Sequence, residues 1–285
     1  SSNRVEWNIM DIAIQQVGAI GVPIYPNISV KDYQYIFSDA QIKLCVTGSE
    51  ELFEKINSIK ADLVLDKLYC FDKIANGVFW EDILAQADGV SIDEVEERKS
   101  KIKIDDLATM IYTSGTTGNP KGVMLSHKNI LSNVEGCIPR IPAKEDSKSL
   151  SFLPVCHVYE RMLHYLYMRL GCSIYFAESL ETIGDNIREV QPDIFTAVPR
   201  LIEKVYEKII AKGDELSGIK KALFFWAVAL AEEFELEGKS AWYNFKLKIA
   251  RKLIFSKWKE ALGGNVKAIA SGAAALQPRL ARIFM

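Results

Sequence analysis

The spacing of apolar positions changes repeatedly along the chain. Residues 7–17 carry Ile9, Ile12, Ala13 and Val17 at helical spacing; Gly18 then interrupts, and an apolar run at 19–25, closed by Pro26, has the composition of a buried strand. The pattern returns to helix over 31–38, to a short strand at 42–47, and to helix after Ser49. Further strands are expected at 107–112, 149–154, 173–176, 193–198 and 266–270, with helical segments between them. This alternation predicts an α/β fold with largely parallel β-sheets flanked by helices. Two stretches depart from it. Residues 91–106 are dense in charges of both signs and read as a solvated connector, whereas 200–262 read as almost continuous helix punctuated by Gly213, Gly218 and Gly238.

Composition narrows the picture. A chain of 285 residues allows one large domain or two small ones, and a content of 49% hydrophobic against 25% charged residues excludes disorder as the main state. With 35 basic and 37 acidic residues there is no global field to attract nucleic acid, and none is expected as a partner. The five cysteines form no CxxC pair, which argues for reduced thiols and a cytoplasmic location rather than a disulfide scaffold or zinc ribbon. Residues 1–7 are polar and unlike a signal peptide, and the longest apolar run, 222–231, is about half of a spanning helix.

Local charge is another matter. Residues 239–259 contain seven basic residues and no acidic one, interleaved with Trp242, Tyr243, Phe245, Leu247, Ile249, Leu253, Ile254, Phe255 and Trp258. Such a helix can pack its apolar side on the sheet with its lysines solvated, or lie as a peripheral element on an anionic membrane surface. The breadth of the apolar side favours packing, and Trp226 and Trp242 read as core aromatics.

The chemistry is concentrated at residues 112–122, YTSGTTGNPKG. Where a strand runs out into glycine and small hydroxyl residues, backbone N–H groups can converge on an anion. Ser114, Thr116 and Thr117 add hydroxyl donors and Lys121 adds positive charge, a combination suited to a triphosphate. The spacing is not that of GxxxxGK[ST] loops: Gly115 precedes Gly118 by three residues, and Lys121 lies between Pro120 and Gly122. An ordinary turn would not need this combination.

His157, shortly after Pro154, falls at an expected strand end, where ligands of open α/β sheets sit; its plain alternative is a satisfied histidine at a helix start. Cys156 beside it is rejected as a nucleophile, because neighbours on a strand face opposite ways. His127 follows Ser126, a natural N-cap, and His164 falls on the next helix; three histidines without a carboxylate cluster do not make a zinc site.

YTSGTTGNPKG resembles the phosphate-binding signature of the adenylate-forming (AMP-binding) superfamily. LPVCHVYER at 153–161 resembles its LPxxH segment, and SGAAAL at 271–276 the SGGAPL segment that lines the adenine pocket. HVYER, VPRLIEKVYEKI at 198–209 and the helical insertion at about 200–262 look most like long-chain fatty acid CoA ligases (acyl-CoA synthetases). The resemblance implies that residues 1–285 are a partial N-terminal AMP-binding domain without the mobile C-terminal lid domain, inactive by itself. It implies ATP-dependent activation of a long-chain fatty acid to an acyl adenylate and then acyl-CoA, with ATP, Mg²⁺ and CoA.

By motif position, Thr113, Ser114, Gly115, Thr116, Thr117, Gly118 and Lys121 would hold the phosphates, with Thr113 helping to hold Mg²⁺. His157 would sit beside the acyl carboxylate and α-phosphate, and His157 and Lys121 would be catalytic. Gly272, Ala273 and Ala274 would lie against adenine, although Ala274 and Ala275 depart from the family pattern. Two alternatives stand: another adenylating enzyme, acting on amino, aryl or medium-chain acids, or a non-catalytic nucleotide- or membrane-binding module.

Overall fold

The computed structural model describes residues 1–113, 118–272 and 274–285. Its contacts separate two units, Ser1–Ile138 with Pro154–Leu163, and Pro139–Leu153 with His164–Met285.

In the first unit Ser29, Ser49, Ser91 and Ser126 each cap a helix start, whereas the first helix begins after Arg4 without a side-chain cap. After α1 (Val5–Gln16), Ser29 opens α2 (Val30–Asp39) by accepting from the Asp32 N–H at 3.1 Å. β1 (Leu44–Thr47) leads to α3 (Glu50–Asn57), capped by Ser49. β1 pairs in parallel with β2 (Lys67–Cys70), and β2 with β3 (Val78–Phe79). Tyr33, Phe37, Phe53, Ile56, Leu68 and Cys70 form the core beneath this sheet; burying a large apolar side chain there contributes about 1.5–3 kcal/mol.

Two expectations are corrected here. Residues 19–25 make a single parallel bridge, Gly21 to Thr109, and no strand. Pro23 has no N–H to donate, so a ladder cannot propagate through it. Residues 91–106 are not simply a connector. After the short α4 (Asp82–Ala85), Ser91 caps α5 (Ile92–Ser100) through the Glu94 N–H at 3.1 Å. Glu94–Arg98, Glu96–Lys99 and Glu97–Lys101 pairs run along this helix. It buries none of its residues, so it carries no hydrophobic period to read.

The first unit also holds an antiparallel ribbon, β4 (Leu107–Thr113) with β5 (Lys121–Ser126), in register from Leu107 opposite Ser126 to Thr113 opposite Lys121. Ser126 then starts α6 (His127–Cys137) with a reciprocal capping box to Asn129.

The second unit is built on a four-stranded parallel sheet of order β7-β6-β8-β9. Its elements are β6 (Lys148–Ser151), α7 (Val158–Leu170), whose first turns belong to the first unit, β7 (Ser173–Phe176), α8 (Ile183–Val190), β8 (Ile194–Ala197), α9 (Pro199–Asp214), α10 (Gly218–Glu232), α11 (Ala241–Ala250), a π-helical turn at Arg251–Phe255, α12 (Ser256–Ala261), β9 (Ala268–Ser271) and α13 (Pro278–Phe284). β8 is buried at every position, as a central parallel strand covered on both faces should be. Leu150, Ile187, Phe195, Ala197, Ile202 and Leu280 form its core.

The basic segment packs differently from the expected helix on a sheet. Tyr243, Leu247 and Ala250 of α11 meet Ala227 and Leu230 of α10, and the Tyr243 hydroxyl donates to the Leu230 carbonyl at 2.7 Å. Trp242 is not a core residue: it is 66% exposed.

Candidate nucleotide site

The β4–β5 register puts Thr113 directly across from Lys121, so the two residues at the base of the candidate phosphate segment face each other at the end of a ribbon. Both residues are exposed, and no salt bridge to Lys121 forms among the described residues, which leaves its ammonium available to an anion. Gly118 has φ +106°, a backbone state that side-chain-bearing residues rarely adopt; nothing crowds the position, so conformation alone requires glycine. Of the sequence candidates in this loop, Thr113, Gly118 and Lys121 are therefore placed. Ser114, Gly115, Thr116 and Thr117 lie outside the described residues. The ribbon is fastened to α2 by the Tyr112 hydroxyl, which donates to Asp39 Oδ2 at 2.5 Å; burial and this bond push the Tyr112 phenol pKa upward.

His157 sits immediately before α7 and is exposed. Its Nδ1 accepts the Tyr159 N–H at 3.2 Å, so the imidazole caps its own helix. That bond assigns the lone pair to Nδ1, and the neutral ring then carries its hydrogen on Nε2, directed away from the cap. The helix-start alternative and the ligand role are thus compatible, since one ring nitrogen serves each. Cys156 lies in the preceding turn and not on a strand, so the argument from opposite faces does not apply. The conclusion stands for another reason: burial pushes the Cys156 thiol up to about 11, leaving almost no thiolate at neutral pH. Cys156→Ser is expected to leave nucleotide binding unchanged, and native alkylation at pH 8 should label it far more slowly than in denaturant.

The most constrained polar group in the first unit was not anticipated. Arg161, four residues after His157, is 1% exposed and donates from Nη2 to Asp11 Oδ1 at 2.5 Å, from Nε to Asp11 Oδ2 at 3.2 Å, and from Nη1 to Thr109 Oγ1 at 2.6 Å. Thr109 passes its own hydrogen to the Gly21 carbonyl at 2.6 Å, and the guanidinium lies 5.7 Å from the Trp7 ring centroid. A Cβ on Gly21 would come within 3.3 Å of Arg161 Nη2, so this close approach suits glycine. Arg161 thereby ties α1, β4 and the start of α7 together, fixing the ribbon relative to His157. The available sequence signal was Asp11, an acid one helical turn after Trp7 on an apolar stripe.

In the second unit, β9 ends at Ser271 beside Ala197 of β8, and Gly272 leaves from the carboxyl edge of this sheet, where ligands of parallel sheets bind. Ala274 is exposed there, and Ala273 lies outside the described residues. His164 has a packing role: it is buried, its Nε2 is 2.8 Å from Ser151 Oγ, and it meets Phe176 edge-on. The His127 N–H bonds the Asp106 carbonyl at 3.1 Å within the capped start of α6. No group of three or more His, Cys, Asp or Glu that could hold a metal occurs among the described residues.

Comparison with known proteins agrees with these motifs. The chain is 29% identical to the peroxisomal long chain acyl-CoA synthetase 6 of Arabidopsis thaliana over 98% of its own length and 40% of that protein. It is 32% identical to fatty acyl-CoA synthetase B of Dictyostelium discoideum over 97% of its length and 42% of that protein. It therefore spans about two fifths of these relatives. Among solved structures, the N-terminal domain of FACL13 from Mycobacterium tuberculosis superposes with a TM-score of 0.65 at 17% identity, over 99% of this chain and 57% of that one. The adenylation domain of a carboxylate reductase from Mycobacterium chelonae gives 0.66 at 22% identity, over 98% of this chain and 43% of that one. Both likenesses show the fold. The family model for AMP-binding enzymes matches residues 1–285 throughout, and the chain belongs to that family.

Proposed function

We propose that this chain is the nucleotide-gripping part of a ligase that activates a long-chain fatty acid with ATP and passes the acyl group to CoA. The observation that carries the reading is the ribbon end, with Thr113 across from an exposed Lys121 that makes no salt bridge among the described residues, at the base of YTSGTTGNPKG. Its relatives' names as long-chain acyl-CoA synthetases support the substrate class. In the first step a carboxylate oxygen bonds to the α-phosphorus and the bond to pyrophosphate breaks. In the second the CoA sulfur bonds to the acyl carbon and AMP leaves.

Anion approaching anion is the electrostatic problem of the first step. Lys121 meets it with a positive charge toward the β- and γ-phosphates, and the Nε2–H of His157 offers a donor toward the carboxylate or α-phosphate. Thr113 supplies a single neutral oxygen, and no acidic cluster accompanies it among the described residues, so a bare Mg²⁺ would not be held. Bound together with the triphosphate, Mg²⁺ would gain phosphate oxygens beside Thr113 and would neutralise charge there. The unpaired cysteines are consistent with a cytoplasmic site of action.

The reading is tested by pyrophosphate release from the intact protein with fatty acids of graded length, aryl acids and amino acids. Faster release with an amino or aryl acid would replace it by another adenylating activity. His157→Asn keeps a capping acceptor and removes the imidazole donor. It is expected to lower kcat for adenylation by about 10–100-fold with ATP affinity nearly unchanged, and an unaltered kcat would remove His157 from the chemistry.

A further inference from the structure

The outward side of the basic segment is an apolar stripe. Trp242 is 66% exposed, Phe245 54%, Ile249 36% and Leu253 44%. At 3.6 residues per turn, positions 242, 245 and 249 fall within about 60° of arc. The π-helical turn at Arg251–Phe255 winds more slowly, and it returns Leu253 to the side of Ile249. Trp242 and Phe245 stack with ring centroids 5.6 Å apart, so two large rings are held together in solvent. Packing on α10 does not account for them, because α11 uses a different side, Tyr243, Leu247 and Ala250, for that contact.

Charge borders this stripe. On the same helical count Lys246 adjoins it on one side, and Lys248 and Lys252 on the other. All seven basic residues between 239 and 259 lack a salt bridge among the described residues, although acids and bases elsewhere on the molecule pair freely. Lys239 and Arg251 turn instead onto the rings of Tyr243 and Phe234. An exposed aromatic and aliphatic stripe with unpaired cations beside it matches the boundary of an anionic bilayer, where rings enter the headgroup layer and lysines meet phosphates. Aliphatic Ile249 and Leu253 fit acyl chains and have no use in gripping a polynucleotide. No helix among the described residues is long and apolar enough to cross a membrane, so this contact would lie along the surface.

We infer that the outward face of α11 and the following π-helical turn is a docking surface for an anionic lipid bilayer, with Trp242 and Phe245 as anchors. The inference is independent of the ligase reading, because it concerns adsorption and not turnover.

The test is sedimentation of the intact protein with phosphatidylcholine vesicles, with and without phosphatidylglycerol. Binding is expected to be stronger on anionic vesicles and to weaken with salt. Lys246→Gln/Lys248→Gln/Lys252→Gln should lower partitioning by at least about tenfold. Trp242→Ser/Phe245→Ser should lower it comparably and abolish a blue shift of tryptophan emission on binding, with circular dichroism unchanged in both variants. Equal pelleting of wild type and variants, or equal binding to neutral vesicles, would overturn the proposal. So would a dimer that dissociates in Trp242→Ser/Phe245→Ser without vesicle binding, or DNA binding that survives that substitution in the absence of vesicle binding.

Discussion

Arg161→Met is expected to destabilise the first unit by about 3–5 kcal/mol, the cost of breaking one side of a buried ion pair. Methionine fills much of the same volume, so the loss comes chiefly from electrostatics: Asp11 would keep its place at 6% exposure without the guanidinium that faces both of its carboxylate oxygens. Thr109 would lose a donor as well. For a body of this size the thermal midpoint should fall by about 10 °C. Replacing both partners, as Asp11→Leu/Arg161→Met, should recover most of the loss, because a buried pair exchanged for apolar groups is often near neutral. Differential scanning calorimetry of the wild type and the two variants decides it. A single-variant loss within 1 kcal/mol of zero would mean that the pair is solvated in solution.

Lys121→Ala addresses function and not folding, because the side chain is exposed and makes no salt bridge among the described residues. A charge-assisted contact to phosphate is worth about 1.5–3 kcal/mol, so the dissociation constant for ATP should rise by roughly tenfold to a hundredfold. The rate of adenylation should fall further, by about 100–1000-fold, if the ammonium follows charge into the transition state. AMP has no β- or γ-phosphate, and its affinity should be unaltered. Calorimetric titration with both nucleotides separates the cases: equal weakening for ATP and AMP would show that Lys121 does not reach the distal phosphates.

What could be read from the sequence followed from what each residue type signals locally. Ser173–Phe176 is found at the expected bounds, since an apolar run after a glycine has few other uses. The positions of Thr113, Gly118 and Lys121 around a strand exit could be anticipated because a run of glycine and hydroxyl residues is contiguous and its pattern is local. Residues 19–25 misled because apolar content outweighed Pro23, and α5 was missed because a helix held by caps and ion pairs has no apolar period. Arg161 and Asp11 stand 150 positions apart, and no local pattern reports that separation. Trp242 was assigned inward by composition, although its neighbours Tyr243 and Leu247 already fill the contact with α10.

The two units alternate along the chain, with Pro154–Leu163 returning to the body formed by Ser1–Ile138. During synthesis Asp11 therefore emerges long before its counter-ion. At roughly 5–20 residues per second the intervening stretch takes on the order of 10–30 s to appear. Throughout that interval the nascent first unit holds an acid at a position destined for burial and cannot close over it without a large penalty. A chain released before that point would lack the guanidinium that faces Asp11 and Thr109 in the folded body.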